Sequence, residues 1–418
     1  MRIGVIADDF TGGTDIASFL VKGGMNTVQL SGVPQRAIET DADAIVISLK
    51  SRSCDSTEAI KQSLDALAYL QQCRCTQIYF KYCSTFDSTE QGNIGPVTDA
   101  LMAALNTQFT VICPSLPLNG RTVFNGNLFV HDVLLSESGM RNHPLTPMRD
   151  SNLVRLMDAQ AQGKTALVNY QMIDQGRTAI SKAYATAQQQ GKQYAVVDAF
   201  NEAQLAQIAE TLVDMPLVTG GSGLAYHIAA LASKQQQRNA TVKVPSKEPS
   251  VVLSGSCSQM TNLQVAAYQS HAPSQAIEAE RCLSDKNYAK EIAQWVMSQQ
   301  GNGYAPMVYA TANVEKLKQI QQQYGVEKAS IAVEDFFAQL TEMLAQQGIR
   351  NFIVAGGETS GVVTQHLNLE ALNIGKEIAP GVPWVFSLDG HFALALKSGN
   401  FGSEQFFKQA QELSDNEN

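Results

Sequence analysis

The stretch IGVIADDFTGGTDIASFL, residues 3–20, decides the reading of the fold. Its opening run IGVIA reads as a buried strand that ends at the pair Asp8–Asp9, and after two glycines the spacing predicts a helix starting near Thr14 or Asp15. Open α/β sheets bind ligands at the carboxyl ends of their strands, which is where this pair sits. Two adjacent carboxylates cannot both point the same way along a strand. One can face a ligand while the other caps the loop or helix, or both are capping or solvated groups.

The same alternation continues outward. AIVISL (44–49), QIYFKY (77–82), FTVICPS (109–115), ALVNY (166–170), YAVVDA (194–199) and PLVTGG (216–221) read as buried strands separated by helix-length segments. Continuous apolar strands with helical crossovers make a parallel sheet covered on both faces. From Ala232 to Pro249 the chain turns polar, basic and proline-bearing, the composition of a connector. The pattern then restarts with SVVLSGS (250–256), QAIEAE (275–280), PMVYAT (306–311) and FIVAGG (352–357), with helix-like stretches at 286–300 and 332–348. The closing pair WVFSL (384–388) and FALALKSG (392–399) lies too close for a helical crossover and is expected to be antiparallel. At 418 residues the chain exceeds the size of one core. The expectation is an α/β protein of two domains, 1–235 and 250–418 joined by a linker at 236–249, each a mostly parallel sheet flanked by helices.

Hydrophobic residues make up 44% and charged residues 17%, the balance of a globular enzyme. A formal charge of −9 opposes binding to nucleic acid. No run approaches the ~18 apolar residues of a membrane helix, and the start MRIGVIADDF lacks the long apolar core of a secretory signal, so a cytoplasmic protein is expected. Seven cysteines in irregular positions, with no C-x-x-C, read as reduced thiols.

Four further constellations carry chemistry. KYCSTFDSTEQGNIGPV (81–97) packs Lys81, Asp87, Gly92 and Asn93 among short hydroxyl side chains directly after a strand. That density suits a polyhydroxy acid, with Lys81 as its counter-charge, or else an elaborate capped turn. Arg52 follows another strand end and could clamp a carboxylate. CPSLPLNGRTVFNGNLFV (113–130) and SGMRNHPLTPMRD (138–150) read as loops stiffened by Pro114, Pro117, Pro144 and Pro147 that present Asn119, Arg121, His143 and Arg149. Finally, VVLSGSCSQMTNLQV (251–265) and FIVAGGETSGVVTQHL (352–367) each run from a strand into a Ser/Gly turn, a geometry that lets backbone N–H groups meet phosphate. Neither is a P-loop or a G-x-G-x-x-G turn. Glu358 would repel phosphate if turned inward, so it either helps hold Mg²⁺ or is structural.

Taken in order, ADDFTGGTD, KYCSTFDSTEQGNIGPV, PSLPLNGRTVFNG, NHPLTPM, VVLSGSCSQMTN, AGGETSG, IGKEIAPGVPW and LKSGNFG make the chain resemble the four-carbon acid sugar kinase family, and within it the branch acting on 3-oxo-tetronates. One departure is Gly13, where relatives usually carry alanine. The resemblance implies an N-terminal substrate domain, a C-terminal nucleotide domain and an active-site cleft between them. It implies ATP-dependent phosphorylation of the 4-hydroxyl of a 3-oxo-tetronate, of the 3-dehydro-erythronate type, with Mg²⁺ as cofactor. The acid is then expected at Arg52, Lys81, Asp87, Gly92 and Asn93, with Asp9, and after it Asp8, as base or hydroxyl-orienting group. ATP is expected at Ser254, Ser256 and Ser258, at Gly356, Gly357, Glu358, Thr359, Ser360 and Gly361, and at Gly399 and Gly402. A kinase for D-threonate or erythronate, a nicotinamide dehydrogenase and a non-catalytic sugar-acid binding protein are the alternatives, with homodimerisation left open.

Overall fold

All five residues of the first strand, β1 (Ile3–Ala7), are buried, a pattern that only a strand covered on both faces can satisfy. The computed structural model describes residues 1–36, 38, 40–143, 145–236, 243–311 and 326–413; Pro144 and residues 237–242 of the expected linker lie outside them. The chain divides into two compact units, Met1–Thr241 and Val242–Asn418. No helix among the described residues is long and apolar enough to cross a membrane.

In the first unit β1 is joined by β2 (Thr27–Ser31), β3 (Ala44–Ser48), β4 (Gln77–Lys81) and β5 (Thr110–Cys113). Next come a small antiparallel sheet of β6 (Arg121–Phe124), β7 (Asn127–Val130) and β8 (Val133–Leu134), then β9 (Thr165–Val168), β10 (Tyr194–Val197) and β11 (Leu217–Gly220). The large sheet runs β2-β3-β1-β4-β11-β5-β10-β9 with every pair parallel. The chain leaves β1 for β2, beyond β3 on one side, and later reaches β4 on the other, so β1 marks a topological switch point. Ala7 is in register with both Ser48 and Lys81. The segments that follow β1, β3 and β4 therefore emerge side by side.

The second unit holds β12 (Ser250–Ser254), β13 (Ser274–Ala276), β14 (Met307–Tyr309), β15 (Asn351–Ala355), β16 (Ala371–Ala379), β17 (Val382–Ser387) and β18 (Ala393–Lys397) in the order β13-β14-β12-β15-β18-β17-β16. Strands up to β18 are parallel, and β17 is antiparallel to both β16 and β18. Here β12 and β15 straddle the switch point, and Ser254, Ala355 and Lys397 stand in one register line. Trp384, Phe406 and Phe407 anchor a core beneath, with the Trp384 indole N–H donating to Ala410 O at 3.1 Å.

Four expectations are corrected. The first helix spans Phe10–Lys22, not Thr14 onward, because Asp9 caps it: its Oδ1 accepts from Gly12 N at 2.6 Å, which places both glycines inside the first turn. Strand β2 escaped the apolar pattern because its central Gln29 is buried as an amide, bonded to Thr14, Ser48 and the Phe10 carbonyl. Strand β16 escaped it through its mixed polar sequence ALNIGKEIA. Residues 121–134 are a small sheet and not loops: Asn125 and Gly126, both at positive φ (47° and 73°), form the two-residue turn that Asn-Gly favours. The buried Asp198 carboxylate accepts from Asn125 N, Gly126 N and Tyr170 N at 2.8–2.9 Å and fixes that turn.

Candidate functional site

At the carboxyl ends of β1, β3 and β4 the side chains of Asp8, Asp9, Arg52 and Asp87 meet. Arg52 donates through Nε and Nη2 to the two oxygens of Asp8 at 2.9 and 2.7 Å, a bidentate fork. Its Nη1 lies 2.7 Å from Asp9 Oδ2 and 3.9 Å from Asp87 Oδ2. The guanidinium is thus already engaged by three carboxylates and is not a vacant clamp. Burial pushes the Asp8 carboxyl up from its ordinary range, with the Arg52 charge and hydrogen bonds pulling against it. Side-chain exposure separates the two aspartates: 7% for Asp8 and 33% for Asp9. Asp8 faces inward as a structural partner, and Asp9 stands at the mouth, fixed by Gly12 N on one oxygen and Arg52 on the other.

Lys81 is buried and donates to the Tyr82 carbonyl at 2.8 Å. It reaches the cluster because Gly12 has no side chain; a Cβ there would lie 2.5 Å from Asp9 Oδ1 and 3.2 Å from Lys81 Nζ. Phe86 and Asp87 both hold positive φ (65° and 26°), at a cost of about 1–3 kcal/mol each. The buried Phe86 ring, edge-on to Tyr82 at 5.6 Å, anchors that turn, and Thr85 Oγ1 donates to Asp87 Oδ1 at 2.6 Å. Asn93 does not cap the helix Ile94–Ala104 that follows it. Its amide instead donates to Ser51 O and Cys54 O at 2.8 and 2.9 Å and pins the turn carrying Arg52. Gly92 packs directly onto Ser88, leaving no room for a Cβ. Gly13 packs equally closely on Ser48 in the first helical turn, where a Cβ would lie 2.0 Å from Ser48 Oγ. Arg121 sits on β6 and donates to the Asn119 carbonyl, while His143 Nδ1 accepts from Thr146 N at 3.0 Å.

In the second unit three turns interlock. Ser254 is fully buried, its hydroxyl bonded to Thr311 at 2.7 Å. Ser258 caps the helix Gln259–Tyr268, accepting from Thr261 N at 3.2 Å, and Ser256 Oγ accepts from Ser258 N at 3.2 Å. Gly356, at φ 125°, opens the helix Gly357–His366, and a Cβ there would come within 3.2 Å of Ser256 N. Gly357 and Gly361 face open space, Glu358 is exposed on the first turn, and Thr359 and Ser360 are buried behind it. A Cβ on Gly399 would lie 2.5 Å from Ser256 Oγ and 2.8 Å from Ser258 Oγ. Gly402, at φ 79°, packs on Phe406. Two helix N-termini and glycines that expose backbone N–H groups suit an anion such as a polyphosphate. Lys397 was not singled out in the sequence, although it ends an otherwise apolar strand with a charge.

The division into two halves has a counterpart among known proteins. A sugar-binding N-terminal domain family matches residues 3–228 and a nucleotide-binding C-terminal domain family matches residues 251–407. A Salmonella typhimurium protein named 3-oxo-tetronate kinase is 57% identical, covering 98% of this chain and 99% of its own length. A Brucella melitensis protein of the same name is 52% identical over 100% of this chain and 97% of its own. A solved Haemophilus influenzae structure covers 98% of the chain and 100% of its own, at 55% identity and a TM-score of 0.90. A Salmonella typhimurium LT2 structure covers 98% of each chain at 57% identity and a TM-score of 0.93. The chain belongs to the four-carbon acid sugar kinase family.

Proposed function

We propose that the chain is a phosphotransferase that moves the γ-phosphoryl group of ATP to the 4-hydroxyl of 3-oxo-tetronate. The observation that carries the reading is Asp9, a one-third exposed carboxylate at the switch point of the first unit, held on both oxygens. Phosphoryl transfer needs positioning and charge neutralisation more than covalent help, and a rigidly held carboxylate can orient the attacking hydroxyl and take its proton. Asp87 and Lys81 flank it as hydrogen-bonding partners for the acid; Arg52 holds the carboxylates in place, and Asn93 holds Arg52. Names of relatives identical over nearly the whole chain at 52–57% support the substrate.

ATP belongs at the three interlocked turns of the second unit, with Ser256, Ser258 and the Gly356–Gly361 turn around its phosphates. Mg²⁺ is bound through one or two carboxylates together with phosphate oxygens, and the exposed Glu358 on the first turn of its helix fits that need. When bound there it would neutralise charge on the phosphates. The test is ADP release by the full chain with Mg-ATP and a panel of 3-oxo-tetronates, threonates and erythronates. Turnover confined to a 3-oxo acid is the expected result. Turnover only on a reduced acid would overturn the substrate, and silence across the panel would overturn the reading.

A further inference from the structure

Lys397 bonds directly to two of the three turns of the second unit and reaches the serine turn through Thr261. Its carbonyl accepts from Gly356 N at 2.9 Å, and its ammonium donates to Thr261 Oγ1 at 3.1 Å and to Gly399 O at 2.9 Å. Thr261 Oγ1 in turn donates to Gly399 O at 2.7 Å and accepts from Ser258 Oγ at 3.0 Å. The side chain is 1% exposed, with its ammonium 5.9 Å from the Phe406 ring centre. Across the segments 254–258, 356–361 and 397–402 it is the single basic side chain. A buried ammonium ordinarily has a carboxylate beside it. Here both acceptors are neutral oxygens.

Among the described residues, the ionisable groups on the surrounding elements do not supply a counter-charge. Helix Gln259–Tyr268 carries only Tyr268, whose hydroxyl donates to Ala305 O. On helix Gly357–His366, Glu358 is exposed and His366 is paired with Glu342. On helix Phe406–Glu412, Lys408 is paired with Glu412. Cys257 lies on the serine turn, and β15 and β17 contribute no ionisable side chain. Burial alone acts on the Lys397 ammonium, lowering its pKa to about 7.

We propose that Lys397 is a positioning residue of the nucleotide site, a buried cation that locks the serine turn and the Gly399 turn together and whose missing counter-charge is supplied by nucleotide phosphate. This rests on reading the second unit as the nucleotide-binding half. The physical basis is that a cation in a low-dielectric site without an anion is costly, and an arriving phosphate a few ångströms away recovers that cost across a poorly screened path. Binding of a phosphorylated nucleotide then favours the protonated lysine and draws a proton from solvent, whereas an uncharged nucleoside has no such effect.

The experiment is calorimetric binding of ADP and of adenosine to the full chain, wild type and Lys397→Met, from pH 7 to 9, a window above the second phosphate ionisation near pH 6. Wild-type ADP affinity should fall several-fold as pH rises, with proton uptake visible as a heat that depends on the buffer's ionisation enthalpy. The Met variant should lose about tenfold in ADP affinity, roughly 1.4 kcal/mol, lose the pH dependence, and change less than twofold for adenosine. Equal losses for ADP and adenosine would make Lys397 merely structural and overturn the proposal. So would ADP binding by the wild type without proton uptake, a result that stands even if the variant fails to fold. A wild type that binds neither compound would overturn the nucleotide reading itself.

Discussion

Replacing Arg52 with Met tests the electrostatic centre of the first unit most directly. The guanidinium makes two bonds to Asp8, one ion pair to Asp9 and a longer approach to Asp87. Its removal leaves three carboxylates facing one another, the innermost of them buried. Breaking a buried ion pair from one side costs about 3–5 kcal/mol, because the surviving charge remains desolvated. The upper part of that range applies at pH 7, since Asp8 then has no remaining bidentate partner. The sign of the pH dependence follows from Asp8, whose carboxyl is already raised by burial with Arg52 opposing. Without Arg52 it rises further, so the variant's deficit is largest at neutral pH and shrinks as acid protonates Asp8. The recovery is bounded by about 1.4 kcal/mol per pH unit for one proton. Urea unfolding of the full chain at pH 7 and pH 5.5, for wild type, Arg52→Met and Arg52→Met with Asp8→Asn, measures it. The double variant should be more stable than Arg52→Met alone at pH 7, because neutralising Asp8 removes the stranded charge. A deficit under about 1 kcal/mol that is independent of pH and unaffected by Asp8→Asn would refute the assignment of Arg52 as the counter-ion of a buried Asp8.

Three other outcomes are expected. Asp9→Asn should cut kcat by about 10²–10⁴-fold, the usual worth of a positioned general base, with KM for ATP little changed in steady-state assays. Asn93→Ala removes the side-chain amide bonds to Ser51 O and Cys54 O that help hold the Arg52 turn; it should cost about 1–3 kcal/mol in urea unfolding and raise KM for the acid but not for ATP. Gly399→Ala drives a methyl to 2.5 Å from Ser256 Oγ, so KM for ATP should rise by about tenfold, roughly 1.4 kcal/mol, while KM for the acid stays constant.

The sequence by itself determined the class of fold. Apolar strand runs spaced by helix-length segments are a local signal, and β1, β3, β4, β12 and β15 appear where that signal puts them, as does the antiparallel pair β17–β18. Strand ends carrying Asp8–Asp9 and the serine and glycine turns were equally legible, because an apolar run gives way to polar or glycine residues at a definite position. Where the local signal was contaminated the reading failed. Gln29 satisfies its buried amide through Thr14, Ser48 and a carbonyl brought from elsewhere, so β2 did not read as a strand. Capping by Asp9 likewise set the helix start at Phe10, ahead of the two glycines that suggested a later start. Only the tertiary structure decided which strand ends are neighbours. Arg52 meets Asp8 across 44 positions, and Lys397 meets Thr261 across 136, because the sheet order sets β1 beside β3 and β12 close to β18. Hydrophobic periodicity records which face of a strand is buried and nothing about the order in which strands pair. The charges at the strand ends acquire partners only when that order is set.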